Sequence, residues 1–203
     1  MRRLVTVIAG VALVASMAAT AVANPWETAD IFGQGLAGDT VAVDGAMINR
    51  GETGVSASVT MPTPVPGMYD YPGAGPNSSG VQGHPEAFSL WVFIFFNPEE
   101  CATSLCGPGD LINDPDVIAG AFNAGGHLAA GSKLTMSGRI TEKTMSFGGG
   151  ETISQALAMG YSIAEAEIHV AVAPHGALAP ELLPQQIKTP AGTPAHWWIA
   201  LFD

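Results

Sequence analysis

Cationic residues are scarce in this chain of 203 residues. It has 7 Lys and Arg against 18 Asp and Glu, which gives a formal net charge of −11. Because nucleic-acid phosphates and anionic lipid headgroups are also negative, a chain this acidic repels both, and we expect no nucleic-acid partner. Cationic partners and divalent metal ions remain compatible with the charge, as does a simple role in keeping the protein in solution.

Charge is absent altogether from residues 4–23, an apolar run that follows the basic start MRR. The run ends in the small-residue pattern AVA at 21–23, which predicts a secretory signal peptide over residues 1–23. The alternative is a membrane anchor, because the run is long enough to span a bilayer. No later run is as long, so we expect no stable membrane span after cleavage. The sequence then predicts one β-rich domain over residues 24–203, secreted or periplasmic.

Cysteine is limited to Cys101 and Cys106. In an exported chain, two cysteines this close predict a disulfide bond, here one that closes a short loop. The alternative is a pair of thiolates that bind a metal or take part in redox chemistry. Redox pairs normally have two residues between the cysteines, whereas four separate this pair.

The motifs of several common enzymes are also missing. The chain has no G-x-S-x-G, no phosphate-binding loop, no dinucleotide-binding fingerprint and no H-E-x-x-H. We therefore expect a non-enzymatic protein with a binding or structural role outside the cytoplasm. Its partner is an unknown protein or glycan.

Alternation of apolar and polar residues is the main signal of fold. In GVSASVTM, Val55, Ala57, Val59 and Met61 fall on one face, which predicts a strand with one buried side. Further strands are predicted in TVAVDGAMI, SKLTMSGRIT, AEAEIHVAVAP and HWWIALFD, and short helices in DPDVIAGAFNAGG and ETISQALAMG. Residues 24–40 are predicted to be irregular, and residues 62–86 to form a long Pro/Gly-rich loop. The fold class is all-β, a sandwich or partly open barrel.

The run SLWVFIFFN, residues 89–97, is apolar on both faces. A strand of this kind is central and covered on both sides, because an exposed face would aggregate. The cover is predicted to be the Pro/Gly-rich loop, a helix or a second subunit, so a homo-oligomer stays open.

Histidines are the remaining candidates for chemistry. Strand alternation places His169 beside Glu167, opposite a β-branched core face, and we expect a structural, partly exposed residue there. His175, in a Pro-His-Gly turn just past the strand, is expected to serve that turn. The alternative is a Zn or Cu site formed by His169 and His175 with His127 as a third ligand. Such a metal is the only cofactor considered. The other two histidines are His84, on the loop, and His196, predicted to open the last strand.

A carbohydrate-binding module is a further alternative. Tyr69 and Tyr71 on the Pro/Gly-rich loop, together with Trp26, are the aromatic side chains that could stack on sugar rings.

Several segments between residues 88 and 180 resemble a group of uncharacterised secreted prokaryotic β-sandwich proteins. They are FNPEEC, CGPGDL, AGGHLAAGSKLTMSGRI and AEIHVAVAPHG. The resemblance implies a shared fold, supports the disulfide and implies no activity. More distantly, EIHVAVAPHG is similar to the histidine-bearing strands of chordin-type (CHRD) domains and copper–zinc superoxide dismutases. Those families typically carry H-x-H, which this chain does not contain.

Overall fold

A computed structural model describes residues 25–66, 68–71, 85–129 and 131–203. This part of the chain folds into one antiparallel sheet of eight strands, in the order β5-β4-β7-β8-β1-β2-β3-β6. The sheet curls until its two end strands approach each other, which makes a nearly closed barrel and confirms the all-β prediction. The strands are β1 (Glu27–Phe32), β2 (Thr40–Gly51), β3 (Gly54–Pro62), β4 (Glu86–Phe95), β5 (Ala119–Ala129), β6 (Lys133–Thr141), β7 (Glu167–Ala177) and β8 (Trp198–Phe202).

The helices of the described residues are short. They are α1 (Pro108–Ile112), α2 (Ile153–Ala158) and α3 (Leu183–Lys188), with 3-10 turns at Pro98–Glu100, Phe147–Gly149, Pro180–Leu182 and Pro194–His196. None of the helices in the described ranges is long and apolar enough to cross a membrane. Helix α2 confirms one predicted helix, and Thr152 caps it by accepting a hydrogen bond from the backbone N–H of Gln155.

The barrel interior is built by the alternation read from the sequence. On β3, the four apolar residues of GVSASVTM are all at most 2% exposed, and they face the interior with the buried residues of the paired strand β6. Strands β2 and β3 form the predicted hairpin, with Gly51 opposite Gly54 at its turn. The sequence therefore predicted this half of the barrel correctly.

Two segments differ from the prediction. Glu27–Phe32 was expected to be irregular, yet it forms β1 between β2 and β8, because Ala29 and Ile31 are enough to anchor one short buried face. The expected helix in DPDVIAGAFNAGG is wrong, since most of that segment lies in β5. Its small residues are needed for close packing beside larger ones. A Cβ on Gly120 would lie 2.3 Å from the carbonyl oxygen of Glu151.

Strand β4 is central, as predicted, and buried along its whole length between β5 and β7. Its even-numbered apolar residues face the barrel interior, and Trp91, Phe93 and Phe95 point to the outer face of the sheet. Trp197 covers Phe93 by stacking on its ring with a centroid distance of 5.5 Å. The rest of this outer cluster is contributed mainly by the segment between β4 and β5 and by neighbouring strands: Cys101, Cys106, Leu111, Val117, Ala119, Ala121, Ala171, Ala173, Ile199 and Leu201.

The predicted disulfide between Cys101 and Cys106 is present, with the two Cα atoms 5.3 Å apart. It closes a loop that lies directly against the outer cluster, and Cys106 is 3% exposed. The disulfide loop, meaning residues 101–106, therefore forms part of the cover that β4 requires. Of the three covers predicted, a helix contributes Leu111 of α1; the disulfide loop was not among the three, and no described residue of the Pro/Gly-rich loop belongs to the outer cluster.

A buried cation lies at the end of β2, beside the segment that leads into β7. Arg50 is 5% exposed and pairs with Glu27 at 2.9 Å. Its guanidinium also donates to the backbone carbonyls of Ile163, at 3.1 Å, and Ala166. A buried charge is tolerated only with such partners.

We predict that Val92→Asp and Phe93→Asp each lower the free energy of unfolding by several kcal/mol, because each places an unpaired carboxylate on a covered face of β4. Val43→Asp is the matched control, since Val43 is 75% exposed and its replacement should be almost neutral. Urea unfolding of the three variants checks this. A nearly neutral result at either β4 position would contradict burial of that face.

We also predict that the double variant Cys101→Ser, Cys106→Ser folds but loses about 2 kcal/mol of unfolding free energy, as expected for a short closed loop. The reduced wild-type protein should lose the same amount. Denaturant unfolding measures both, and alkylation under denaturing, non-reducing conditions should detect no thiol in the wild type. Two alkylated thiols in the native secreted protein would contradict the prediction.

Candidate functional site

His169 lies on the outer face of β7 and pairs with Glu167, as the sequence indicated. Its Nε2 is 2.6 Å from Oε1 of Glu167. The expectation of a partly exposed residue is wrong, because the side chains are buried, with His169 9% and Glu167 5% exposed. The outer face that looked open to water in the sequence is the one that the disulfide loop covers.

Glu167 joins His169 to the disulfide loop. The same Oε1 accepts a hydrogen bond from the backbone N–H of Cys106 at 2.8 Å. The imidazole of His169 packs against Phe95 with a centroid distance of 5.1 Å. Because Oε1 of Glu167 accepts hydrogen bonds from both Cys106 and His169, it holds the disulfide loop to the sheet. Glu167 and His169 therefore have a structural role.

His175 lies inside β7, which corrects the prediction of a turn. The strand continues to Ala177, and its pairing with β4 shifts register between Phe88 and Glu86, where Gly176 adopts a φ of 70°. This bulge keeps the strand extended past Pro174. The Pro-His-Gly pattern, typical of turns, marks the bulge here.

The imidazole of His175 is fully buried on the outer face. Its Nε2 is 2.7 Å from Oγ of Ser89, which also accepts a hydrogen bond from Nε1 of Trp91 at 2.8 Å. No hydrogen-bond partner within the described ranges reaches Nδ1. Burial lowers the pKa of His175 to about 4, because the charged form would lose its hydration.

A second buried group lies at the same end of the barrel. Glu86, 4% exposed, accepts a hydrogen bond from the hydroxyl of Tyr69. Burial raises the pKa of Glu86, and the bond from Tyr69 offsets part of that rise. Burial, with the nearby carboxylate of Glu86, raises the pKa of Tyr71 to about 12. The hydroxyl of Tyr71 donates to the backbone carbonyl of His175 at 3.1 Å.

The tyrosines therefore anchor the described part of the Pro/Gly-rich loop to the barrel. The ring of Tyr69 meets Trp198 edge to face, with centroids 5.2 Å apart. Between the tyrosines, the backbone N–H of Asp70 donates to the side chain of Gln34, just past the end of β1, at 2.7 Å. Trp26 lies before the start of β1, whereas Gln34 lies past its end, so the length of the strand, roughly 20 Å, separates the two residues. The structure thus does not bring Trp26 together with the tyrosines.

The candidate metal ligands do not lie together either. His169 and His175 are six residues apart on one extended strand, a separation of roughly 20 Å. His127 is exposed on β5 and pairs with Phe88, on the interior side of the sheet, whereas His175 faces outward. Across the described ranges, no group of three or more His, Cys, Asp or Glu side chains is placed to hold a metal ion.

The two other histidines are accounted for separately. His196 belongs to a 3-10 turn rather than to the last strand, which begins at Trp198. Its Nδ1 accepts a hydrogen bond from the backbone N–H of Thr193 at 3.1 Å. His84 lies outside the described residues.

Sequence reasoning missed Ser89, Glu86 and Gln186 as partners in these buried groups. Gln186 of α3 is fully buried, and its side-chain amide donates to the carbonyl of Ala177 at 2.9 Å. For Ser89, the available signal was its position as a polar residue at the start of the apolar run of β4. Nothing in the local pattern around Gln186 indicates burial.

No family model, curated protein or solved structure matches this chain. The resemblances to secreted prokaryotic proteins, chordin-type domains and dismutase strands stay predictions.

We predict that His175 makes the protein less stable in acid. Its folded pKa of about 4 lies below the ordinary 6.5, so only the unfolded chain takes up a proton between these values. The contribution of His175 to the free energy of unfolding is therefore fully present above pH 6.5 and is lost as the pH falls towards about 4. The total loss is about 3 kcal/mol.

Urea unfolding across that pH range measures this dependence. His175→Gln should lack this component and show a flatter profile, and His196→Gln is the matched control, which should follow the wild type. Parallel profiles for the wild type and His175→Gln would contradict the assignment.

Proposed function

We propose that the protein is an exported, non-enzymatic barrel that binds a component of the cell envelope or the extracellular medium. One observation supports it most. Buried carboxylates form hydrogen bonds that hold segments of the chain onto the barrel.

Two such attachments support this role, and a third joins neutral groups. Glu167 binds the disulfide loop, Glu86 binds Tyr69 of the Pro/Gly-rich loop, and the backbone carbonyl of Ala177 accepts a hydrogen bond from the side chain of Gln186 of α3. A general base or nucleophile must reach its substrate within hydrogen-bond distance. The carboxylates of Glu167 and Glu86 and the imidazole of His175 are all buried, which favours a framework role over catalysis.

Export is supported by the leader-like residues 1–23, which lie outside the described residues, and by the disulfide between Cys101 and Cys106. Disulfides persist in oxidising compartments and are rare in the cytosol of most cells. A binding protein of the envelope also agrees with the excess of acidic residues, because net charge keeps a secreted protein dispersed.

We expect mass spectrometry of the secreted protein to give Asn24 as its N-terminus. The purified mature protein should sediment saturably with washed cell envelopes of the producing organism and leave them chemically unchanged. The reduced and urea-unfolded protein is the control and should not show saturable binding. Retention of residues 1–23 in a membrane fraction, or absence of saturable binding by the folded protein, would refute the proposal.

A further inference from the structure

Helix α3 lies on the outer face of the sheet, next to the buried pair formed by Ser89 and His175. Its Ile187 packs against Gly126, where a Cβ would lie 2.3 Å from the Cβ of Ile187. Gly126 is directly opposite Ser89 in the ladder between β4 and β5. The side-chain amide of Gln186 lies 3.4 Å from the backbone carbonyl of His175. The pair of Ser89 and His175 is therefore buried where α3 meets the barrel.

Helix α3 is attached mainly through polar contacts. Gln186 is its one buried residue, and its side chain donates to the carbonyl of Ala177 at 2.9 Å and accepts from the N–H of Ala179 at 2.9 Å. The side-chain amide of Asn123 on β5 donates to the carbonyl of Ile187 at 2.8 Å. Within the described ranges, neither cluster of buried apolar residues includes a residue of α3. Because a helix of 6 residues has little stability of its own, α3 can separate from the barrel at a lower cost than a strand of the sheet.

The hydrogen bonds around Ser89 fix the position of the hydrogen on His175. Nε1 of Trp91 can only donate, so Oγ of Ser89 accepts from it at 2.8 Å. The hydroxyl hydrogen of Ser89 then points to Nε2 of His175, 2.7 Å away, which is the other bonded partner of this hydroxyl among the described residues. A neutral imidazole that accepts at Nε2 carries its hydrogen on Nδ1.

Protonation of His175 breaks this arrangement. The imidazolium carries hydrogens on both ring nitrogens, so Nε2 becomes a donor to Ser89. The hydroxyl hydrogen of Ser89 then loses its acceptor, and Nδ1 has none in the described part of the chain. A buried charge with two unpaired donors is unfavourable, whereas the same charge in water is hydrated. Acid therefore favours a conformation in which water reaches the imidazole ring.

Few charged groups lie on the elements around His175. On its own strand, the nearest titratable side chain is His169, six residues away. In α3 the one charged residue is Lys188, which is exposed and positive and so disfavours a second positive charge. The neighbouring strand β8 carries no charged residue, and β4 carries one, Glu86. Glu86 is therefore the one carboxylate that α3 and the two neighbouring strands contribute.

Glu86 responds to acid in the opposite direction from His175. Burial raises the pKa of Glu86, so the folded protein takes up this proton at a higher pH than the unfolded chain does. The folded state therefore gains stability from Glu86 as the pH falls. Tyr71, which donates to the carbonyl of His175, stays neutral in acid because its pKa is raised to about 12. Among these groups, His175 is the one through which acid loosens the packing.

We propose that protonation of His175 releases α3 from the outer faces of β4 and β5 while the sheet stays folded. Release gives the imidazolium access to water and breaks the bonds that Gln186 and Asn123 make to hold the helix. It also uncovers the outer side of Ser89 and the backbone at Gly126. The barrel thus presents a different surface in acid, whether or not it binds an envelope component.

Amide hydrogen exchange followed by NMR on the folded mature protein tests this switch. The N–H of Ala179 is bonded to Gln186 and that of Thr189 to the carbonyl of Gln185, so both amides report on α3. One proton taken up between pKa 6.5 and about 4 should lower their protection roughly twentyfold at about pH 5 relative to about pH 7, after correction for the intrinsic pH dependence of exchange.

Local release is distinguished from unfolding of the whole barrel by repeating the exchange in low concentrations of urea. The two α3 amides should exchange faster than the amides of β3 and β6 and should be insensitive to urea, because release of α3 exposes little surface. The amides of β3 and β6 are the internal control and should exchange faster as urea is added. If the α3 amides share the rates and the urea dependence of β3 and β6, the proposal is wrong.

His175→Gln removes the titrating group, so the protection of the two α3 amides should be the same at about pH 5 and about pH 7. Two variants are controls and should keep the wild-type pH dependence. His196→Gln removes a histidine that bonds to Thr193, and Glu86→Gln removes the buried carboxylate of β4. An unchanged pH dependence in His175→Gln would overturn the proposal.

The ring nitrogen resonances of His175 test the same switch in the wild type, so the test does not depend on the folding of a variant. At about pH 7, Nδ1 should carry the hydrogen and Nε2 should be unprotonated. Protonation of the ring and loss of protection at α3 should follow the same pH dependence. A hydrogen on Nε2 at about pH 7 would refute the proposal, as would a protonated ring beneath an α3 whose amides keep their protection.

Discussion

Strand β4 is apolar on both of its faces, and the rest of the structure depends on covering both. The interior face is covered by closing the sheet into a barrel, because Leu90, Val92 and Ile94 then meet the inward residues of the other strands. The outer face has no such solution within one sheet. Since an apolar face left in water would promote aggregation, a second layer must come from the connecting segments.

That second layer explains the placement of the polar groups. Short segments without their own hydrophobic core are held by hydrogen bonds, and those bonds gain in value where water is excluded. Glu167 and His169 hold the disulfide loop, and Ser89, His175 and Gln186 lie beneath the other end of the layer. Of these groups, Glu167 bonds the disulfide loop that covers it, and Gln186 attaches its own helix to β7. Two of the three candidate metal ligands, His169 and His175, are therefore part of the packing, whereas His127 is exposed.

The sequence correctly predicted the strands that have one buried face and one face exposed to solvent. Strands β3 and β6 alternate cleanly, because their outer residues remain in solvent, and both were identified. Strand β5 was mistaken for a helix because its outer residues are alanines. In the barrel, Ala119 and Ala121 lie beside Phe95 and Phe93, whose rings need small neighbours across the ladder. That requirement comes from a partner strand, so no local pattern could show it.

The same packing leads to an open seam between β5 and β6, the two end strands of the sheet, because the ladders in the described residues pair β5 only with β4 and β6 only with β3. Strand β5 carries one extra residue, Ala124, where its register against β4 shifts between Leu90 and Trp91. A bulge of this kind bends the strand and strengthens its twist. The bend brings Ala124 against Gly138 of β6 and carries the following residues away from it, while Ile187 of α3 packs on the outer side of Gly126. Strand β5 is thus fixed on its outer side and bent at its edge, so it cannot pair with β6 along its length. The opening in the barrel is therefore a consequence of how β4 is covered, and its position is set by a single inserted residue.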